Sequence, residues 1–258
     1  MEPGNIYGLL GRNGAGKTTL LKLMAGLRYP CKGSALVAGH NPASRRYEVM
    51  VDVCFIPEEI HVPALTMAQY RRLYGALYPK FSEKLYDTLI KEFELTSEKR
   101  LTEFSLGQKK KFLLAFGMST GSSILILDEP TNGLDIPAKK QFRRLMANVV
   151  DEDRLVLIST HQVRDMETLI DPIIILDEGR VVFNEPLHEV YNKLYFGREN
   201  EVPKGDDLLW SQEVLGGYET VRENLTGAES TMDLETLFVA VTQSSKAMER
   251  IFSKGGRQ

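Results

Sequence analysis

The run Gly11-Arg12-Asn13-Gly14-Ala15-Gly16-Lys17-Thr18 constrains this chain more than any other feature. It fits G-x-x-x-x-G-K-[ST], the Walker A pattern, and it lies between a strand-like run, Ile6 to Leu10, and a helical pattern. Glycines let such a loop curl until successive backbone N–H groups point inward, which is what a phosphate needs. Lys17 belongs against the β- and γ-phosphates of a nucleotide, and the Thr18 hydroxyl suits Mg2+. Gly11, Asn13, Gly14, Ala15 and Gly16 form the cradle, Thr19 is counted with the binding residues, and the helix N-terminus faces the anion. Leu20, Leu23, Met24 and Leu27 recur at i, i+3, i+4 and i+7, so that stripe is expected to be the buried face.

Ile124 to Leu127 is a second strand-sized run, and it ends in Asp128-Glu129, the Walker B arrangement. A buried strand aims both carboxylates at the carboxyl edge of its sheet, where open α/β folds bind ligands. Asp128 suits a direct or water-mediated Mg2+ role, and Glu129 is placed to polarise an attacking water as general base. A pair of helix-capping acids before Pro130 accounts for one carboxylate but not for the strand feeding both. His161 follows the next strand-like run, Leu155 to Ser159, and is placed to hold a γ-phosphate and the water.

Short β-branched runs alternating with longer helical patterns predict an α/β fold: a P-loop core with a mostly parallel sheet, an inserted helical subdomain and a small C-terminal appendage. The insert spans about residues 63–120, with Leu85, Leu89 and Phe93 recurring every four residues. A later helix carries Pro137 in its first turn and Phe142, Leu145, Met146 and Val149 on one face. Ile173 to Leu176 and Val181 to Phe183 flank Glu178-Gly179 as a hairpin. Beyond Glu185 the chain is more polar, punctuated by Gly205, Gly216, Gly217 and Gly227, and a last helix has Leu234, Leu237, Phe238 and Val241 on one stripe. The core is therefore expected over 1–189 and the appendage over 190–258.

A net charge of −3 argues against a dedicated nucleic-acid binder, and no nucleic acid is expected as partner. Cys31 and Cys54 lack metal-ligand spacing and read as free thiols in the core of a cytoplasmic protein. No signal peptide is read at the start, and no apolar run approaches the roughly 18 residues of a membrane-spanning helix. Any work at a membrane then falls to another chain.

With Phe104-Ser105-Leu106-Gly107-Gln108 ahead of the acidic pair and Gly133-Leu134-Asp135 behind it, the sequence resembles the ATP-binding-cassette ATPases. The first segment looks like the family signature, the second like the D-loop, and Ser159-Thr160-His161 like the switch-histidine region. Phe55-Ile56-Pro57-Glu58 stands at the Q-loop position. The resemblance spans about residues 4–183. It implies ATP and Mg2+ as ligands, with Glu58 beside the metal and water, and Ser105, Gly107, Gln108 and Asp135 at a nucleotide held by a second ATPase subunit. Lys109-Lys110-Lys111, after the signature, reads as a solvated helix face.

Departures from the family pattern direct the reading further. Glu58 replaces the usual glutamine and Leu106 the first signature glycine, variants found in the exporter and antibiotic-resistance branch. Arg12 stands where proline is common. Met1 lies only ten residues before Gly11, so the family's N-terminal edge strands and adenine-stacking aromatic are expected to be absent. Tyr7, inside the strand, is a poor substitute, and loss of one stack costs about 1–3 kcal/mol. The resemblance implies the ATPase of a membrane exporter, cytoplasmic and held peripherally at the inner face of the membrane by a permease, in a homo- or heterodimer. Tyr70, Tyr74, Tyr78 and Phe81 serve either the permease contact or the core of the insert. The alternatives are a non-transport cassette acting on ribosomes or DNA, and a regulatory nucleotide-binding subunit.

Overall fold

The computed structural model describes residues 1–96 and 98–253. Residue 97 of the expected helical insert and residues 254–258 of the expected appendage lie outside the described residues. The chain divides into two compact units, Met1–Tyr7 with Lys17–Thr160, and Gly8–Gly16 with the chain from His161 onward. Strand β1 (Ile6–Leu10) contributes residues to both.

The first unit continues with α1 (Lys17–Met24), α2 (Tyr47–Asp52), β2 (Val53–Ile56), α3 (Met67–Gly75) and α4 (Glu83–Glu92). It closes with α5 (Leu106–Ser119), β3 (Ile124–Asp128), α6 (Ile136–Ala147) and β4 (Leu155–Thr160). Strands β2, β3 and β4 pair in parallel, and every residue of β3 and β4 is buried. An unbroken apolar strand such as Ile124–Leu127 is stable only when both sheet faces are covered, as here. The register sets Asp128 beside Ser159, which fixes the carboxyl edge of the sheet. At the opposite edge the Val156 N–H donates to the Asn5 carbonyl at 3.0 Å, bringing the chain just before β1 to β4.

The expected stripe on α1 is displaced. The buried apolar residues are Leu21 and, just past the helix, Ala25, at 0% and 5% exposure, whereas Leu27 is 49% exposed and also lies beyond the helix. The helix stops because Gly26 adopts φ 67°. Leu27 N–H then donates to the Lys22 carbonyl at 2.8 Å and Gly26 N–H to that of Leu23 at 3.1 Å, the two bonds of a Schellman end.

The insert is helical, as its periodicity implied. Leu89 and Phe93 are buried and Leu85 is half-buried. Most of its rings serve its own core: Tyr70 stacks on Tyr74 at 4.2 Å and meets Phe112 and Phe116 edge-on at 5.1 and 5.0 Å. Tyr78 and Phe81 also pack on Phe116. The C-terminal end of α5 is stapled by Arg154, whose guanidinium donates to the carbonyls of Met118 and Gly117 at 2.8 and 3.1 Å.

In the second unit the end of β1 pairs in parallel with β5 (Ile173–Asp177), and β5 turns into β6 (Arg180–Glu185) antiparallel. Glu178 and Gly179, at φ 45° and 76°, make the two-residue turn expected there. Then come α7 (Leu187–Lys193), β7 (Leu194–Glu199), β8 (Leu208–Val214), β9 (Gly217–Glu223), α8 (Leu234–Gln243) and α9 (Ser245–Ser253). The polar-looking stretch before the last helices thus holds an antiparallel sheet of order β7-β9-β8. It is anchored where the Trp210 indole of β8 donates to Gln243 of α8 at 2.8 Å.

Both cysteines are free, but only Cys54 sits in the core; Cys31 is exposed, contrary to expectation. Burial pushes the Cys54 thiol up to about 11, so little thiolate forms near neutrality. A thiol reagent at pH 8 is expected to label one site per native chain, at Cys31, and two after unfolding. Rapid native labelling of Cys54, read by mass spectrometry, would contradict the buried placement.

Candidate active site

Asp128 ends β3 and is 1% exposed, yet both of its carboxylate oxygens are occupied. Ser159 Oγ, from the neighbouring β4, donates to Oδ1 at 2.5 Å. Thr18 Oγ1, in the first turn of α1, donates to Oδ2 at 2.8 Å. Charge-assisted bonds of this kind are roughly twice as strong as neutral ones, and they supply the partners that a buried polar group needs.

Glu129 follows at 3% exposure with φ 47°, the left-handed region that costs a non-glycine residue about 1–2 kcal/mol. Its backbone N–H donates to both the carbonyl and the hydroxyl of Ser159, each at 3.1 Å. Those bonds hold the turn, and strain of this type gathers where side-chain direction matters. The carboxylate meets Lys17, whose Nζ lies 3.5 Å from Oε1 with both side chains buried. Lys17, Thr18, Asp128 and Glu129, singled out from separate motifs, thus form one cluster in the first unit. Thr19, beside them in sequence, is exposed.

The glycine loop lies in the second unit up to Gly16, directly before Lys17. Gly14 and Gly16 take φ 85° and 105°, conformations that a side chain would strain. A Cβ on Gly14 would meet nothing within 4 Å, so the need there is conformational. Ala15 O accepts from the N–H of Gly179 at 3.1 Å, tying the loop to the β5–β6 turn. Gly11 and Ala15 are buried, and Arg12, Asn13 and Gly14 are exposed. His161 belongs to this unit and is exposed.

The remaining sites have local structural duties. Ser105 and Gln108 form a capping box on α5: Ser105 Oγ accepts from the Gln108 N–H at 3.2 Å, and Gln108 Oε1 accepts from the Ser105 N–H at 2.9 Å. Asp135 caps α6 by accepting from the Ala138 N–H at 2.9 Å. A Cβ on Gly107 would come 3.3 Å from the Gly133 carbonyl, so signature and D-loop meet within this chain. Glu58 is exposed, and its Oε1 accepts from the Asn132 amide at 2.8 Å.

Three contributors went unrecognised in the sequence. Ser159 was passed over beside His161, and Asn132 gave no signal. Lys110, expected on a solvated face, is 1% exposed. Its position one turn before the buried Leu114 was the available clue. Burial lowers its ammonium below the usual lysine range, while Glu58, Asp128 and Glu129 act to keep it charged.

A glycine loop leading into Lys17 and Thr18, with two carboxylates at a strand end, defines a P-loop nucleotide-binding protein. The family model described as ABC transporter matches residues 1–132. The Nod factor export ATP-binding protein I of Cupriavidus metallidurans is 28% identical, over 99% of this chain and 84% of its own length. The ABC transporter ATP-binding protein NatA of Bacillus subtilis is 31% identical over 74% and 80%. The bacitracin transport ATP-binding protein BcrA of Bacillus licheniformis is 34% identical over 72% and 62%. A solved ATP-binding subunit of an ABC transporter is 29% identical with a TM-score of 0.67, covering 73% of this chain and 81% of that one. A dimeric ATP-binding cassette bound to ADP and Pi, 21% identical with a TM-score of 0.63 over 72% and 87%, shares the fold. The chain belongs to the ABC transporter family. It is an ATP-binding subunit that hydrolyses ATP to power transport.

Replacing Ser159 by alanine leaves one oxygen of buried Asp128 without its donor. Urea unfolding of Ser159→Ala without nucleotide should show a loss of about 1–3 kcal/mol. An unchanged midpoint would mean that this hydroxyl does not hold the carboxylate.

Proposed function

We propose that this chain is the ATPase of a membrane exporter, with its hydrolytic site built on Lys17, Thr18, Asp128 and Glu129. The observation that carries the proposal is the cluster itself, joined by the 2.8 Å Thr18–Asp128 hydrogen bond and the 3.5 Å Lys17–Glu129 ion pair. Export is supported by the Nod factor and bacitracin relatives and by the Glu58 and Leu106 variants.

In this reading the N–H groups of Gly11, Asn13, Gly14, Ala15 and Gly16 receive the phosphates, with Thr19 beside them. Lys17 exchanges its contact with Glu129 for the β- and γ-phosphates. Released from that pair, Glu129 accepts a proton from the attacking water. His161, directly after β4, donates to the γ-phosphate.

The donor set fits Mg2+. Thr18 and Asp128 offer hard oxygens, and among the described residues no group of three or more His, Cys, Asp or Glu forms a metal cage. Mg2+ is commonly held by one or two protein oxygens together with substrate phosphates. Thr18 would ligate it, Asp128 would hold it directly or through water, and Glu58 would lie beside it. When bound, the ion neutralises charge developing on the phosphates.

Ser105, Gly107, Gln108 and Asp135 would meet the nucleotide of a second ATPase subunit, so that ATP closes a homo- or heterodimer and hydrolysis reopens it. No helix among the described residues is long and apolar enough to cross a membrane. In this reading a permease completes the transporter and holds this chain at the cytoplasmic face, as the names of the transport relatives suggest. We assign residues 1–189 to the ATPase domain, with its helical subdomain at about 63–120, and the rest to the appendage.

Glu129→Gln should lower ATP turnover about 100-fold or more while ATP still binds, and it should accumulate an ATP-dependent dimer on size exclusion. Lys17→Ala should lose nucleotide affinity instead. Turnover of Glu129→Gln at the wild-type rate would remove the general base from this scheme.

A further inference from the structure

We infer that Lys110 is a positioning residue of the hydrolytic site, holding Glu58 from the signature helix so that α5 and the Glu58 segment act as one piece. The inference rests on the site proposed above and adds a residue to it. Lys110 Nζ donates to the Glu58 backbone carbonyl at 3.4 Å. Glu58 Oε1 in turn accepts from Asn132, one residue before Gly133. The ring closes where α5 meets Gly133: a Cβ there would lie 3.3 Å from Leu106 Cδ2. Signature, Q-loop and D-loop segments are thus joined within one chain, and Lys110 supplies the charged link.

A buried ammonium is costly and persists where carboxylates surround it. Here the Glu58 backbone carbonyl accepts from it, and the charges of Glu58, Asp128 and Glu129 favour its ammonium form against burial, Glu58 the most among them. Their three negative charges face two lysines, Lys17 and Lys110. Once Lys17 turns to a triphosphate, Lys110 is the lysine of these two left to offset the carboxylates. A neutral residue at position 58 would need less of that compensation. Loss of Lys110 should therefore be harmful with Glu58 present and mild with glutamine in its place.

The test compares full-length wild type, Lys110→Met, Glu58→Gln and the double variant. ATP affinity is measured by calorimetry with Mg2+ and with EDTA, alongside steady-state hydrolysis. In Lys110→Met, kcat should fall about tenfold or more with KM for ATP within about threefold, and the gain in ATP affinity from Mg2+ should shrink several-fold. The double variant should match Glu58→Gln within about threefold, because the unbalanced charge is gone. Multiplied losses in the double variant would make Lys110 a packing residue and overturn the inference, as would a Lys110→Met protein equal to wild type. Should Lys110→Met fail to fold, Lys110→Gln, which keeps a donor but drops the charge, is read against the same background. Wild type that binds no Mg·ATP overturns the underlying site; wild type that binds it beside unaffected variants overturns Lys110 alone.

Discussion

Asp128 is held by two hydroxyls from two different elements, Ser159 on β4 and Thr18 on α1. A carboxylate at the end of a fully buried strand has lost its water and needs protein donors in exchange. The two bonds give both of its oxygens a donor, and they also lock three pieces of chain in register: β3 to β4 through Ser159, and β3 to the first turn of α1 through Thr18. The geometry around Lys17 and Glu129 follows from that lock. Lys17 opens α1 immediately before Thr18, and Glu129 continues β3 immediately after Asp128.

Around this point the first unit arranges charge that burial would usually forbid. Lys17 and Glu129 pair beneath the surface, and Lys110 lies buried against the backbone of Glu58. Pairs like these contribute little net stability, because desolvation offsets the attraction. In the function proposed above their use is preorganisation: cations and carboxylates are already gathered where a phosphate would bind. The positive φ of Glu129 fits the same pattern, a backbone strain maintained by the double bond to Ser159.

Much of this was legible in the sequence wherever meaning is local. Gly11 to Thr18 carries its conformation in its glycines, and Ile124 to Glu129 carries burial and charge within six adjacent residues. The Glu178-Gly179 hairpin was legible for the same reason. What escaped depends on tertiary environment. Lys110 looked solvated because its neighbours Lys109 and Lys111 are charged, while its helix face turns inward one turn ahead of Leu114. The β7-β9-β8 sheet escaped because strands such as Ser211-Gln212-Glu213 carry polar residues in succession, masking alternation. On α1, the Gly26 stop overrode the apolar period and left Leu27 outside the helix.

The most direct measurement is a crystal structure of the full chain with Mn2+ and a non-hydrolysable ATP analogue, using anomalous scattering to place the metal. The peak is expected on the Thr18 hydroxyl with Asp128 beside it, the terminal phosphate against Lys17, and the Glu129 carboxylate turned to the line of attack. Nucleotide bound elsewhere, or a metal remote from Thr18 and Asp128 with Lys17 still paired to Glu129, would contradict it.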